Sequence, residues 1–119
     1  MSSNYNDLLQ KHLEAWGERD TVRRRKLIDA IYSEHCYYVD PLDQIEGRNG
    51  IEGLIERLQA QFPGFIFRMD GPIDTHHHIA RFTWCFGPPD SVAVRGVDVV
   101  VFENGLIRSM YGFFETPEK

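Results

Sequence analysis

Little in this chain points to a cross-linked, metal-bound or membrane-spanning protein. Its 119 residues include only two cysteines, Cys36 and Cys85, so a disulfide framework is excluded, and no Cys-x-x-Cys pair offers zinc ligands. Positive charge is scarce. Thirteen basic residues against 18 acidic ones leave a net charge of −5, which argues against nucleic acid as a partner, because phosphate binding needs a concentrated positive field. Long apolar runs are missing too: the strongest, residues 97–102, is too short for a bilayer and contains Asp98, so no membrane partner is expected. The first seven residues are polar, with no basic segment followed by an apolar one, and a cytoplasmic location is the expectation. What is plentiful is aromatic surface. Eight Phe, five Tyr and two Trp bring a large area to bury, which excludes a disordered chain. At this length one domain over residues 1–119 is expected.

The N-terminal half reads as helices. Leu8, Leu9, His12, Leu13 and Trp16 share one stripe at helical spacing, with Asn4 as cap and Gly17 near the end. Asp20 caps a second helix carrying Val22, Leu27, Ile28 and Ile31. A third opens at Asn49, with Glu52 in a capping-box position, buries Ile51, Leu54, Ile55, Leu58 and Phe62, and stops at Pro63-Gly64. Between these two, residues 36–39 form a short strand closed by Asp40-Pro41. Beyond Gly64 the periodicity changes to strands: 65–69, a long 75–86, 92–102, and 106–114 after the hairpin dipeptide Asn104-Gly105. Helices followed by an antiparallel meander make an α+β fold with the helices on one face of the sheet.

Alternation assigns residues to faces. On 92–102 the even positions include Val94, Gly96, Asp98 and Val100, and the odd ones Val97, Val99 and Val101, so neither face is polar. Three helices cover one face only; the other is expected to meet a second copy in a homodimer. Asp98 is the anomaly, since an unpaired carboxylate on an interior strand is costly and burial raises its pKa; a structural acid satisfied by a neighbour is the plain alternative. Asp40 before Pro41 reads equally as a turn-starting residue or as a carboxylate at a pocket mouth. His12 on an apolar stripe reads first as a satisfied core histidine.

Other conspicuous residues carry less. His76-His77-His78 places two imidazoles on one face of a continuous strand, but no carboxylate stands at a partner spacing, so no metal site is expected, and His78 is placed at the pocket edge. The run Arg23-Arg24-Arg25-Lys26 fans around a helix and is read as solvated. Gly47, Gly50 and Gly53 lack the spacing of a dinucleotide loop, and both cysteines read as packing residues.

The order of parts resembles the nuclear transport factor 2-like superfamily, and within it the small SnoaL-like proteins. Amphipathic helices lead to Tyr38-Val39-Asp40-Pro41, then Gly47-x-x-Gly50-Ile51 opens a helix; Arg81-Phe82-Thr83-Trp84, Gly96-Val97-Asp98-Val99 and Asn104 to Ser109 fit the strand half. The resemblance implies a cone, a curved and mainly antiparallel sheet wrapped around three helices over a deep apolar pocket. That fold hosts ketosteroid isomerases, polyketide cyclases, dehydratases, epoxide hydrolases and binders without activity, so it does not settle function. In the isomerases an Asp at the Asp-Pro position is the base, and a protonated Asp matching Asp98 donates to the developing oxyanion; the handling of such a buried acid is well established for that enzyme. Their oxyanion tyrosine is here His12, with Tyr32 and Tyr38 as other phenols. The expected function is therefore a cofactor-independent acid–base enzyme of isomerase, cyclase or dehydratase type on a small apolar carbonyl compound. Asp40, Asp98 and His12 would be catalytic, and Trp16, Tyr32, Tyr38, His78, Phe82, Trp84, Met110 and Phe114 would contact the substrate. The alternatives are a non-catalytic ligand-binding module or an epoxide hydrolase, whose Asp–Arg–Asp cluster would require Arg81 to point inward, against its alternation with Phe82 and Trp84.

Overall fold

The computed structural model describes residues 2–115, and side chains from residue 5 onward. Three helices, α1 (Ser2–Gly17), α2 (Thr21–Ile31) and α3 (Gly47–Gln61), pack on a mixed sheet of seven strands. The strands are β1 (Tyr32–Val39), β2 (Gln44–Glu46), β3 (Ile66–Met69), β4 (Asp74–His76), β5 (Ile79–Gly87), β6 (Val94–Glu103) and β7 (Leu106–Glu115). Their spatial order is β2-β1-β7-β6-β5-β3, with β4 also on β5; all pairs are antiparallel except β1 with β7, which is parallel. The α+β architecture is the expected one. Among the described residues, no helix is long and apolar enough to cross a membrane.

Several boundaries differ from the sequence reading, each for a local reason. The first helix begins at Ser2, so Asn4 lies inside it instead of capping it; its side chain is outside the described residues. Asp20 does cap α2, accepting from the Arg23 amide at 2.9 Å. The third helix starts at Gly47 without a side-chain cap. Asn49 and Glu52 make no capping box and instead accept from Arg25 on α2, at 2.6 and 2.8 Å. The expected long strand 75–86 is two, because His77 takes a positive φ of 52° and turns the chain between His76 and Ile79. The short strand at 36–39 extends back to Tyr32, directly after α2, and the three-residue β2 went unforeseen. Asn104 and Gly105 form the tight β6–β7 turn with φ of 54° and 77°, as Asn-Gly favours.

The basic run is solvated only in part: Arg23 and Lys26 are exposed, Arg25 is half-buried and Arg24 is buried. Arg24 is fully buried between the helices, its guanidinium donating to the Glu18 carbonyl, Gln59 Oε1 and Glu56 Oε2 at 3.0–3.2 Å. Arg25 bridges α2 to α3, whereas Val22, expected in the core, is exposed. Phe62, also expected to be buried in α3, is instead the residue that ends it and is 37% exposed. Charge, as much as apolar contact, therefore sets the spacing of these two helices.

The inner face of the sheet is read row by row from the register. Ala80, Val100, Met110 and Tyr38 make one row; Phe82, Asp98 and Gly112 make the next, with Trp84, Gly96 and Phe114 beyond it. Val39 pairs with Tyr111 on the parallel strand, so Asp40 follows beside Gly112 and joins the row of Asp98. The outer face carries Thr83, Val97, Val99, Val101, Tyr111 and Phe113, with Arg81 beside Val99 and the pair Arg95 and Glu115 at one end, and Phe113 is 60% exposed.

Candidate active site

The two acids are 58 positions apart in sequence, yet the parallel pairing of β1 with β7 sets them on either side of one residue, Gly112. Strand spacing puts their backbones roughly 10 Å apart. The missing side chain matters: a Cβ at Gly112 would stand 3.0 Å from Asp98 Oδ1 and 3.2 Å from Asp40 Cβ, filling the gap between the carboxyl groups. Both acids border a cavity of about 160 Å³ enclosed by α1, α3 and the inner sheet.

Asp40 closes β1 as a hydrogen-bonded turn. Its Oδ1 accepts from the amides of Leu42 and Asp43 at 2.8 and 2.9 Å, and its Oδ2 accepts from the Tyr38 hydroxyl at 2.6 Å. The turn reading and the pocket reading thus describe the same side chain. Burial, and then the bond to Asp40, push the Tyr38 phenol well above its ordinary range, so it stays a donor.

Asp98 is 6% exposed. Its Oδ1 accepts from Trp84 Nε1 at 3.0 Å, and that indole lies over Gly96, where an added Cβ would overlap the ring. Burial raises the Asp98 pKa to about 7, the nearby Asp40 charge adds to the rise, and the Trp84 bond opposes it. Near neutrality this carboxyl can therefore hold a proton.

His12 has a defined proton as well. The Tyr32 hydroxyl lies 2.6 Å from His12 Nδ1 and accepts from Trp16 Nε1 at 2.9 Å. An indole can only donate, so the single phenolic hydrogen is free for His12, whose Nδ1 is the acceptor. The ring proton then sits on Nε2, 4.0 Å from Asp98 Oδ2. Burial pushes the imidazole down to about 3, so it is neutral, and with Asp98 favouring its own neutral form the contact is no ion pair. His12 is anchored in the core through Nδ1 and turns the Nε2–H donor toward the cavity it lines.

Of the residues expected to touch substrate, Trp16, Tyr38, Trp84 and Phe114 line the cavity together with Asp40, Asp98 and His12. Tyr32, Phe82 and Met110 do not: they are buried behind the wall, Tyr32 and Phe82 packing against His12. His78 is exposed in the β4–β5 turn and is not among the residues that line the cavity, because the turn at His77 breaks the strand that would have carried it inward. Arg81 is exposed and paired with Asp74, so no arginine joins the two acids. Among the described residues, no group of three or more His, Cys, Asp or Glu could hold a metal ion. Sequence reasoning missed Leu54, Leu58, Phe65, Phe67 and Phe86 as cavity residues. Their apolar periodicity was visible; which of them meet solid packing and which meet a void was not.

These features have counterparts in known proteins. A family model described as the SnoaL-like domain matches residues 9–110. The chain belongs to the SnoaL-like family. A crystal structure of a proposed isomerase of that family from Agrobacterium tumefaciens str. C58 is 37% identical, with 96% of this chain and 99% of that one covered and a TM-score of 0.89. A proposed SnoaL-like polyketide cyclase from Jannaschia sp. CCS1 superposes with a TM-score of 0.78 at 12% identity, covering 95% of this chain and 86% of that one. A proposed ketosteroid isomerase from Kribbella flavida gives 0.73 at 17% identity, covering 98% and 82%. The latter two share the fold alone. No curated protein matches the sequence significantly.

Two measurements check the proton assignments. The Asp98 pKa is 3.8 ordinarily and about 7 here, so its contribution to stability is full below about pH 4 and lost as pH rises to about 7. His12, lowered from 6.5 to about 3, works in the opposite sense and offsets it. Asp98→Asn cannot ionise, so in urea denaturation it is expected to gain about 2–3 kcal/mol on the wild type between pH 5 and pH 8; a difference that ignores pH removes the buried acid. In ¹⁵N NMR, His12 is expected as a single neutral tautomer protonated at Nε2, and as a mixture in Tyr32→Phe. A wild-type proton on Nδ1 contradicts the network.

Proposed function

We propose that this chain is a cofactor-independent acid–base enzyme, of isomerase, cyclase or dehydratase type, acting on a small apolar carbonyl compound. The observation that carries the reading is the shared row: Asp40 and Asp98 face one apolar cavity across Gly112, one accepting hydrogen bonds and the other able to hold a proton. The carboxylate of Asp40 takes the proton from the carbon beside the carbonyl, and the electron pair moves onto the carbonyl oxygen. His12 Nε2–H and the protonated Asp98 donate to that oxygen. Asp40 then returns the proton to a different carbon, which isomerises the substrate, or the enolate expels a leaving group or attacks a second carbonyl.

A ligand-binding role without turnover is the second reading. It is favoured by one observation: both Asp40 oxygens already accept hydrogen bonds, which lowers the free lone-pair density of a base. With Arg81 outside the cavity, nothing supports an epoxide hydrolase.

The outer sheet face supports a homodimer. Four neighbouring strands of about eight residues cover roughly 500 Å² in projection, and side-chain relief brings this toward the ~800 Å² per partner of a stable interface. The free, buried thiols of Cys36 and Cys85 suit a reducing cytoplasm.

Asp40→Asn is expected to lower protein-catalysed α-proton exchange of enolisable ketones in D₂O, read by NMR, by about 10²–10⁴-fold, with ligand affinity nearly unchanged; full exchange by the variant leaves only the binding role. Sedimentation is expected to show a dimer that Val99→Arg, at the centre of the outer face, converts to monomer, and a monomeric wild type at tens of micromolar rules the interface out.

A further inference from the structure

The cavity is small and its chemistry is one-sided. At about 160 Å³ it falls below the ~300–1,000 Å³ of sites for drug-sized ligands, and it matches the roughly 150 Å³ apolar cavity that takes up one benzene. Multi-ring skeletons of the kind polyketide and steroid enzymes handle would have to extend out past its exposed rim residues Leu42, Phe62 and Phe114. The limit is set by packed aromatic rings: Phe67 stacks on Phe86 at 4.3 Å between centroids and meets Trp16 and Trp84 edge-on at 5.6 and 5.5 Å. Such a wall has little freedom to retreat, since each ring is braced by the next.

Charge narrows the class further. The lining includes Asp40, Asp43 and Asp98 but no Lys or Arg. A carboxylate or phosphate would meet like charge with no counter-ion. An ammonium group would be drawn by charge to Asp40 and Asp43, but both Asp40 oxygens already accept hydrogen bonds, from the Tyr38 hydroxyl and the Leu42 and Asp43 amides, and the innermost groups, His12 Nε2–H and Asp98 in its neutral form, donate. The matching ligand group is an uncharged acceptor.

We infer that the ligand is a neutral molecule of a single six-membered ring bearing one carbonyl, its oxygen toward His12 and Asp98 and its ring among Phe67, Trp84 and Phe86. The size and charge rest on the cavity alone; the orientation of the carbonyl rests on the acid–base reading. The Trp16 and Trp84 indole N–H signals report binding directly, without turnover. In an NMR titration, cyclohex-2-en-1-one is expected to shift both saturably. A bicyclic octalone, a tetracyclic steroid enone, cyclohexylamine and cyclohexanecarboxylate are each expected to bind at least tenfold more weakly. Phe62→Ala, which truncates a half-exposed lining residue, is expected to narrow the gap between octalone and cyclohexenone. Equal or tighter binding of any of the four larger or charged probes, or no binding of the one-ring ketone, overturns the inference. Cyclohexenone that binds but undergoes no α-proton exchange upholds the size class and removes the acid–base reading instead.

Discussion

The structure depends on keeping a carboxyl group inside an aromatic hollow. Ionised and unpaired, Asp98 would cost more than a small domain can spare. The fold meets this with one donor, the Trp84 indole, and by letting the group hold its proton. The indole reaches Asp98 only because Gly96 leaves room for the ring, and the second acid stands close only because Gly112 leaves room between them. Two missing side chains on the inner sheet thus decide where the polar chemistry lies.

Aromatic residues with a polar tip complete the arrangement. Trp16 donates to Tyr32, Tyr32 to His12, Tyr38 to Asp40 and Trp84 to Asp98. Each contributes an apolar body to the core and one hydrogen bond to the site, so satisfying the buried polar atoms costs little apolar area. The same bonds fix proton positions. A histidine with two free nitrogens could present either tautomer to the cavity, whereas one bound through Nδ1 presents a donor. Farther out, Arg24 and Arg25 join α2 to α3, and α3 in turn supplies Leu54 and Leu58 to the cavity wall.

Much of the fold was legible because periodicity reports burial directly. The helical stripe of α1, the Asp20 cap and the Asn104-Gly105 turn each follow from local chemistry. Failures came where a distant partner overrode a local signal. Asn49 and Glu52 satisfy Arg25 instead of a helix end, Arg24 trades water for three acceptors on Glu18, Glu56 and Gln59, and the histidine run bends at His77 where alternation alone predicted a continuous strand.

The sequence by itself determined that an acid lay on an apolar strand and that another ended a strand at Asp-Pro, because alternation and turn chemistry act over a few residues. Only the tertiary structure decided that these acids share one row. That follows from a parallel pairing between the segment after α2 and the final strand, such as Tyr38 with Met110, a contact too distant in sequence for any local pattern to encode. It also decided that Tyr32, Phe82 and Met110 stand behind the cavity wall while Phe65, Phe67 and Phe86 form it, since a void is a property of how surfaces fail to meet.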